Sequence, residues 1–553
     1  MNTNKDNTGD RPVTPTRLLL LGFTLSGVIG CAQFQLQSES TPETPEDTTA
    51  DVKLWADFLD APDAISAAVP PAISEQASPY PDDLWARVRA GFAMDGVDHE
   101  RTAAELAYYK RHPVFLDRVS ERATPYLYHI VSEVEARGMP MEIALLPVVE
   151  SAFQPFAYSH GRAAGIWQFI PGTARHFGLK QTWWYDGRRD IIASTEAALT
   201  YLERLNNMFD GDWQLALAAY NAGEGTVMRA IRRNQAEGLP TDYWSLRLPQ
   251  ETRQYVPRLL AIRELVDAPD EHGMAMRSIP NQPYLEVVEV GSQIDLALAA
   301  DLADLTIDEL YVLNPGFNRW ATDPEGPHRL VVPIDNAEVF AGNLESIPPA
   351  ERVQWARHRV EPGQTLGQIA RRYNTTVSVL QETNNINGHV IRAGSHLIVP
   401  TSSRPSQQYA LSADQRLTRN QNRSRNGNRV EHRVQRGDTF WGLSRRYGVG
   451  VRQIAQWNNM APADTLRPGQ TLVIWASDSN GRQAGNNGPA QGQPIVQRVR
   501  YTVRQGDSLY RIAQRFRVSV DDLRAWNNLS GQRYLQPGQQ LTLHVDVRNQ
   551  SGS

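Results

Sequence analysis

"LLPVVESAFQPFAYSHGRAAGIWQFIPGTA", residues Leu145 to Ala174, sets one carboxylate, Glu150, directly behind an apolar run of Leu145, Leu146, Val148 and Val149. An acid held against apolar side chains is poorly solvated, so its charged form is disfavoured and its pKa rises. Such a group stays protonated near neutral pH and serves as a general acid. The alternative is structural, a Glu at a helix end bonded to backbone. The segment from Ser159 to Gly165 is rich in small residues, which lets a ligand approach the backbone closely.

Outward from this stretch the pattern is helical and nearly strand-free, from about Asp82 to Val266. Segments such as "TPYLYHIVSEVEARG", Thr124 to Gly138, repeat apolar residues at helical spacing, and Gly138 and Pro140 mark a helix stop and restart. At 553 residues the chain exceeds what one hydrophobic core organises, so several domains are expected. An apolar content of 41% and a charged content of 21% are ordinary for a soluble globular protein. The net charge of −5 conceals an asymmetry. Residues 351–553 carry 28 Arg, no Lys and 12 acidic residues, a charge of +16, whereas residues 1–350 stand at −21. Such a basic tail favours a polyanion or an anionic surface, or simply solvates the linkers, where much of the Arg lies. No nucleic-acid partner is expected.

Cys31 is the single cysteine, so neither an intrachain disulfide nor a Cys-based metal site is available. Lys5, Arg11 and Arg17 precede the apolar run "LLLLGFTLSGVIG", Leu18 to Gly30, and Cys31 follows at once. A basic start, an apolar run of this length and a small residue before a cut make a secretory signal, and the run is short for a membrane span. "VIGC", Val28 to Cys31, resembles the bacterial lipoprotein signal. That resemblance implies a signal peptide over 1–30, export, and an acyl anchor on Cys31 that ties the chain to a lipid bilayer. Ala32 follows instead of Asp, which in the Gram-negative sorting pattern implies the periplasmic face of the outer membrane. Residues 31–80, acidic and Pro-containing, read as a flexible tether.

The C-terminal part is repetitive. "HRVEPGQTLGQIARRYNTTVSVLQETNNI" from His358, "HRVQRGDTFWGLSRRYGVGVRQIAQWNNM" from His432 and "YTVRQGDSLYRIAQRFRVSVDDLRAWNNL" from Tyr501 align without gaps. In each, a Gly (Gly363, Gly437, Gly506) precedes an Asn-Asn pair (from Asn384, Asn458, Asn527) by 21 residues. Strand, turn, capped helix, helix and strand are expected in turn. The copies span 357–400, 431–475 and 499–545. The linkers 401–430 and 476–498, rich in Gly, Asn, Ser and Gln, are expected to be flexible, so that each copy folds alone. A worn fourth copy at 280–335 keeps Gly291 and Asn314 in place and is expected to pack against the front domain.

These repeats resemble LysM modules, βααβ domains that bind N-acetylglucosamine polymers in peptidoglycan or chitin. The resemblance implies a sugar groove between the loop after the first strand and the segment joining the second helix to the last strand. That points to Asp438, Thr439, Phe440 and Trp441 with Asn459 and Met460, and to Asp507, Ser508, Leu509 and Tyr510 with Asn528 and Leu529. In the first module it points to Gln364, Thr365, Leu366 and Gly367 with Asn385 and Ile386. The Asn pair equally suits helix capping alone.

Five blocks around and beyond Glu150 occur in a set order: Glu150-Ser151 with Ser159, "GIWQFIPGTA" from Gly165, "DGRRDIIASTEAALTYL" from Asp186, "LALAAYNAGEGTV" from Leu215 and "LPQETRQYVPRLLAI" from Leu248. They resemble the catalytic domain of soluble-type lytic transglycosylases, related in fold to goose-type lysozyme. The implied architecture is multidomain, with an all-α lysozyme-like catalytic domain at 81–270 followed by α+β (βααβ) LysM modules. The resemblance makes Glu150 the single catalytic acid/base. It places Ser159, Gln168, Tyr220, Asn221 and Tyr255 around the reacting sugar, and Trp167 departs from the family pattern. The implied substrate is the glycan strand of peptidoglycan. The implied product is a 1,6-anhydromuramoyl end formed by attack of the sugar's own 6-hydroxyl.

Glycoside hydrolases usually add a second carboxylate. After Glu150 none follows in sequence until Asp186. Asp190 and Glu196 read as a helix cap and a surface residue. Trp183 and Trp184 read as core packing, with sugar stacking as the alternative. No cofactor or metal is expected, since the twelve His show no HExxH spacing and no P-loop is present. A hydrolytic muramidase and a non-catalytic wall-binding scaffold are the competing functions. The repeats are expected to raise local concentration at the wall without altering the chemistry.

Overall fold

Asp190 and Asp212 each accept a hydrogen bond from the backbone N–H three residues on, at 2.8 Å and 3.0 Å, and so start the helices Ile191–Met208 and Trp213–Ala222. These caps satisfy donors that a helix start leaves orphaned. The computed structural model describes residues 82–476, apart from 97 and 374, and parts of 496–546. The signal segment, Cys31, the tether, most of the 476–498 linker, Tyr510 and Asn528 lie outside the described residues. The chain divides into two units, meeting at residues 416 and 417.

The first unit begins with the expected helical domain. Between Leu84 and His272 the described residues form helices joined by turns and isolated bridges. Gly138, with φ +61°, ends the helix Leu127–Ala136, and Pro140 precedes the 3-10 turn Met141–Leu145. The long helix Gln250–Asp267 packs on Glu100–Lys110 and Trp213–Ala222. Val256, Leu259 and Ile262 on it are fully buried, as are Leu199, Leu202 and Leu217 opposite. Into this core runs the helix Leu146–Ser151, only six residues long, with Pro147 in its first turn. It ends at Ala152 and Phe153, whose φ angles of 49° and 58° lie in the left-handed region that non-Gly residues avoid. Arg122 Nε holds the Ala152 carbonyl at 2.8 Å, and Ser151 Oγ donates to the Ile166 carbonyl at 3.0 Å.

The worn repeat is a βααβ unit. Its strands Leu285–Glu289 and Arg329–Pro333 pair antiparallel around the helices Leu296–Leu302 and Ile307–Leu313. It packs on the helical domain as expected. Tyr126 Oη donates to the Val312 carbonyl, the Asp186 N–H to Gly316, and the Asn318 N–H to Trp184. Arg329 reaches Asp190 at 3.0 Å. A Cβ on Gly316 would stand 2.8 Å from the Tyr185 ring, so glycine permits this approach.

The first two clear repeats are also βααβ, the third pairs its described strands Val496–Thr502 and Gln540–Asp546 antiparallel, and each has its own small apolar core. One side chain closes all of them. Asn458 Nδ2 donates to the Ile454 and Val473 carbonyls, and its Oδ1 accepts from the Val473 N–H, all within 2.8 Å. Asn384 and Asn527 make the same three bonds, and so does Asn314 in the worn copy. The second Asn of the pair turns the chain, with φ of 52° at Asn385 and 50° at Asn459. The pair is therefore architectural.

The linker 401–430 departs from the flexible string expected of its composition. It holds a 3-10 turn, Ser406–Gln408, and the helix Ala413–Asn422. Tyr409 and Leu411 are buried in the core of the first unit. Tyr409 Oη reaches both carboxylate oxygens of Asp295, at 2.9 and 3.0 Å. Two apolar side chains and a buried acceptor anchor a segment that is otherwise polar.

Asn458→Ala removes three bonds at a buried position and leaves strand groups unpaired, at a cost of about 3 kcal/mol. Hydrogen exchange on the full chain is expected to show lost protection in the strand Thr471–Ala476. Asn459→Gly, which suits the left-handed φ, is expected to keep it.

Candidate active site

Glu150 sits near the end of the helix Leu146–Ser151, and the residue as a whole is half-buried. Its Oε1 accepts from Tyr255 Oη at 2.5 Å. Tyr255 is buried on the helix Gln250–Asp267, 105 positions along the chain. Burial pushes the Glu150 carboxyl up to about 8; the Tyr255 bond and the Arg258 charge oppose this, and the Glu251 charge adds to it. Desolvation wins, as the apolar run implies.

Of the other expected residues, Tyr220 also feels the charge of this acid, while Ser159, Gln168 and Asn221 make bonds of their own. Tyr220 Oη donates to the Trp167 carbonyl at 2.9 Å, and the Glu150 charge acts on the Tyr220 hydroxyl. Asn221 Oδ1 accepts from Thr252 Oγ1 at 2.8 Å, which ties the helix Trp213–Ala222 to the Tyr255 helix. Ser159 closes a turn, its N–H donating to the Ala163 carbonyl and its Oγ accepting from the Ala163 N–H at 3.0 Å. Gln168 has φ 49° and donates through Nε2 to the Gly165 carbonyl at 2.7 Å. Gly165, φ +80°, passes so close to Arg188 that a Cβ would meet its carbonyl oxygen at 2.0 Å. That contact, and not ligand approach alone, requires glycine here.

A buried charge cluster holds this loop from behind. Arg188 Nη1 donates to the Arg162 carbonyl at 2.6 Å and to Phe169 at 3.3 Å, while its Nε and Nη2 engage Asp186. Burial alone would raise the Asp186 carboxyl, but the Arg189 and Arg188 guanidiniums outweigh it and hold it below the ordinary carboxylate range. Asp190 caps its helix and pairs with Arg329, and Glu196 pairs with Arg137 at the surface, the structural roles expected. Trp167 is fully buried, with Nε1 bonded to Thr195. Trp184 packs edge-on to Trp183 and Trp320 in the core. Sequence reasoning missed Glu251, Thr252, Arg258 and Arg188. The first three lie on the helix that carries Tyr255, three or four positions and so one turn from it.

In the repeats, much of the expected sugar-binding set has structural work. Asp438 Oδ2 accepts from His432 Nε2 at 2.8 Å and from the Gln435 N–H at 2.7 Å, and these bonds hold its carboxyl below the ordinary range. Gln364 and Asp507 occupy the same position, bonded to His358 and Tyr501. Thr439 and Thr365 cap helices, and Phe440 and Leu366 are buried. Leu509 packs on its module's core, and Asn459 Oδ1 accepts from Asn420. Trp441 stands out: 61% exposed, with the Arg445 guanidinium 4.8 Å from its ring centre. Ser508 is also exposed.

The Transglycosylase SLT domain family matches residues 128–240, a range that contains Glu150, Ser159, Gln168, Tyr220 and Asn221 and stops short of Tyr255. The LysM domain family matches 358–400, 432–475 and 501–543. The family described as "Lytic transglycosylase MltD, LysM-like domain" matches 284–349, the worn repeat and the helix after it. A putative tributyltin chloride resistance protein of Alteromonas sp. (strain M-1) is 40% identical over 189 residues, 34% of this chain and 89% of that protein. Among solved structures, the 70 kDa soluble lytic transglycosylase SLT70 of Escherichia coli shares 20% identity and covers 34% of each chain, with a TM-score of 0.23. Membrane-bound lytic murein transglycosylase D of Escherichia coli (strain K12) is 36% identical over 471 residues, 85% of this chain and 87% of that protein. Identity at this level across most of both chains means that the chain belongs to the family of membrane-bound lytic murein transglycosylase D.

Proposed function

We propose that this chain is a peptidoglycan lytic transglycosylase. It cleaves the β-1,4 bond between N-acetylmuramic acid and N-acetylglucosamine without consuming water, leaves 1,6-anhydromuramoyl ends, and holds the glycan with its LysM modules. The observation that carries this reading is the Glu150 carboxyl, pushed up to about 8 by burial on a residue that is itself only half-buried.

Tyr255 donates to Oε1, which leaves Oε2 to carry the acidic proton. Oε2–H protonates the glycosidic oxygen as the bond to the anomeric carbon breaks, and the N-acetylglucosamine side departs with its 4-hydroxyl. The neighbouring acetamido group stabilises the anomeric centre. The Glu150 carboxylate then takes the proton of the muramic acid 6-hydroxyl as that oxygen attacks the anomeric carbon. The acid is restored and the ring is closed. Intramolecular attack gains from proximity, so one acid/base suffices. Trp441 offers an exposed flat face for sugar in the second module.

The chain's envelope location rests on its N-terminal signal. No helix among the described residues is long and apolar enough to cross a membrane. An acyl chain on Cys31 supplies the anchor on the periplasmic face of the outer membrane. Cys31→Ser is expected to lose incorporation of labelled palmitate and to leave the membrane fraction; labelling of the variant would refute the anchor.

Glu150→Gln keeps the shape and removes the proton. Release of muropeptides from purified sacculi is expected to fall by about 10²–10⁴-fold. Mass spectrometry of the wild-type products is expected to show anhydro ends; reducing muramic ends would establish the hydrolytic muramidase instead.

The raised pKa also fixes the pH behaviour. The protonated acid is the active form, so kcat/KM is expected to fall as pH rises through about 8. Tyr255→Phe removes a bond that favours the carboxylate, so the alkaline limb is expected to move to higher pH. The folded state holds this proton more tightly than the unfolded chain. Its contribution to stability is therefore full below the ordinary value of 4.5 and is lost as pH rises towards 8. Glu150→Gln is expected to melt higher than wild type at pH 8 and equally at pH 4.

A further inference from the structure

The linker after the first LysM module enters the frame of the active site. Its segment 402–416 is fastened to the first unit at several points. The Ser403 N–H donates to Asp295 Oδ2 at 2.9 Å, beside the two contacts from Tyr409 Oη. The Ala413 N–H donates to the Asn318 carbonyl at 2.9 Å, and Asp414 pairs with Arg319 at 2.5 Å. Arg319 in turn lies 4.3 Å from the ring centre of Trp183.

Arg416 is the last residue of this segment. Its guanidinium carbon stands 4.2 Å from the ring centre of Phe156, and Nη1 donates to the Leu411 carbonyl at 2.9 Å. Its charged neighbours include two like charges, Arg189 and Arg319. The Asp186 carboxylate acts in the opposite sense, and the direct contacts that fix the guanidinium are the Phe156 ring face and the Leu411 carbonyl. Phe156 lies six positions after Glu150 and three before Ser159. The loop it belongs to is pinned on its far leg by Arg188, through the carbonyls of Arg162 and Phe169. Within the loop, the Gly165 N–H bonds the Ala157 carbonyl. Arg416 and Arg188 thus grip the two legs of one hairpin.

We propose that the segment 402–416 belongs to the catalytic unit, and that Arg416 is a positioning residue which braces the Phe156 leg of the loop carrying Ser159. The inference rests on the transglycosylase reading for its kinetic consequence and stands independently for its mechanical one. It extends the catalytic chain beyond the helical domain expected at 81–270, as far as Arg416.

The test uses the full chain and a short soluble glycan of alternating N-acetylglucosamine and N-acetylmuramic acid, so that wall binding does not enter. Arg416→Ala is expected to lower kcat about tenfold, the scale on which small misplacements of reacting groups act, with KM nearly unchanged. Arg416→Lys, which keeps a cation over the ring, is expected to recover most of the loss. Phe156→Leu removes the other partner and is expected to match Arg416→Ala, and the double variant to be no worse than either single one. Hydrogen exchange of Arg416→Ala is expected to rise in residues 154–163 and to stay unchanged in the helix Ile191–Met208. Wild-type turnover in Arg416→Ala, or multiplying effects in the double variant, overturns the brace. Should Arg416→Ala not fold, Phe156→Leu alone decides, and wild-type turnover there overturns it equally. A wild-type chain inactive on every glycan refutes the enzymatic reading instead, and unchanged exchange in 154–163 then refutes the brace.

Discussion

The desolvation of one carboxyl is the constraint on which the rest depends. Glu150 must be buried enough to hold its proton near neutral pH and open enough to meet a substrate. A helix that ran on past it would carry the side chain out of the core or seal it in. The helix stops after six residues, and the chain turns through two left-handed residues that sequence preference disfavours. Such backbone costs on the order of 1–3 kcal/mol per residue and persists only where the surroundings over-determine it. Arg122, Ser151 and the packed side chain of Phe153 do so here. The Tyr255 hydroxyl works against desolvation, and burial prevails.

The same turn sets the course of the loop beyond it. Once the chain leaves Glu150 in this direction, the loop to Gln168 lies over the charge cluster of Asp186, Arg188 and Arg189. Two of its carbonyls find donors in Arg188, and its glycine is pressed against the Arg188 backbone. The positive φ at Arg162, Gly165 and Gln168 reflects the tightness of the path. The loop is therefore a surface held from beneath, with the Ser159 and Gln168 side chains bonded to its own backbone across short turns.

The repeats solve a different problem with one device. A module of about 45 residues buries too little apolar surface to be stable by core packing alone. An Asn at the end of the second helix binds the last strand by donating and accepting at once, which locks helix and strand in register. The worn copy keeps this Asn although it has exchanged its solvent-facing polar turn for contacts with the helical domain. This copy is part of a larger core, with Gly316 and Arg329 among the points of attachment.

Local pattern made much of this legible. The helical period, the cap at Asp190, the stop at Gly138, the repeats and their strand pairing, and Glu150 behind its apolar run all express interactions within a few residues or within one repeat. The sequence by itself determined those, because backbone geometry and amphipathic burial act over one or two turns. Tertiary structure alone decided which hydroxyl meets Glu150, since Tyr255 comes from 105 positions away. It decided that Asp438 latches a histidine and that the Asn pair is architectural. It also decided that a polar linker is ordered, because Tyr409 meets a buried carboxylate more than a hundred residues earlier in the chain. The physical reason is the same in each case: a polar group's role is set by the partner that burial brings to it, and composition does not record that partner.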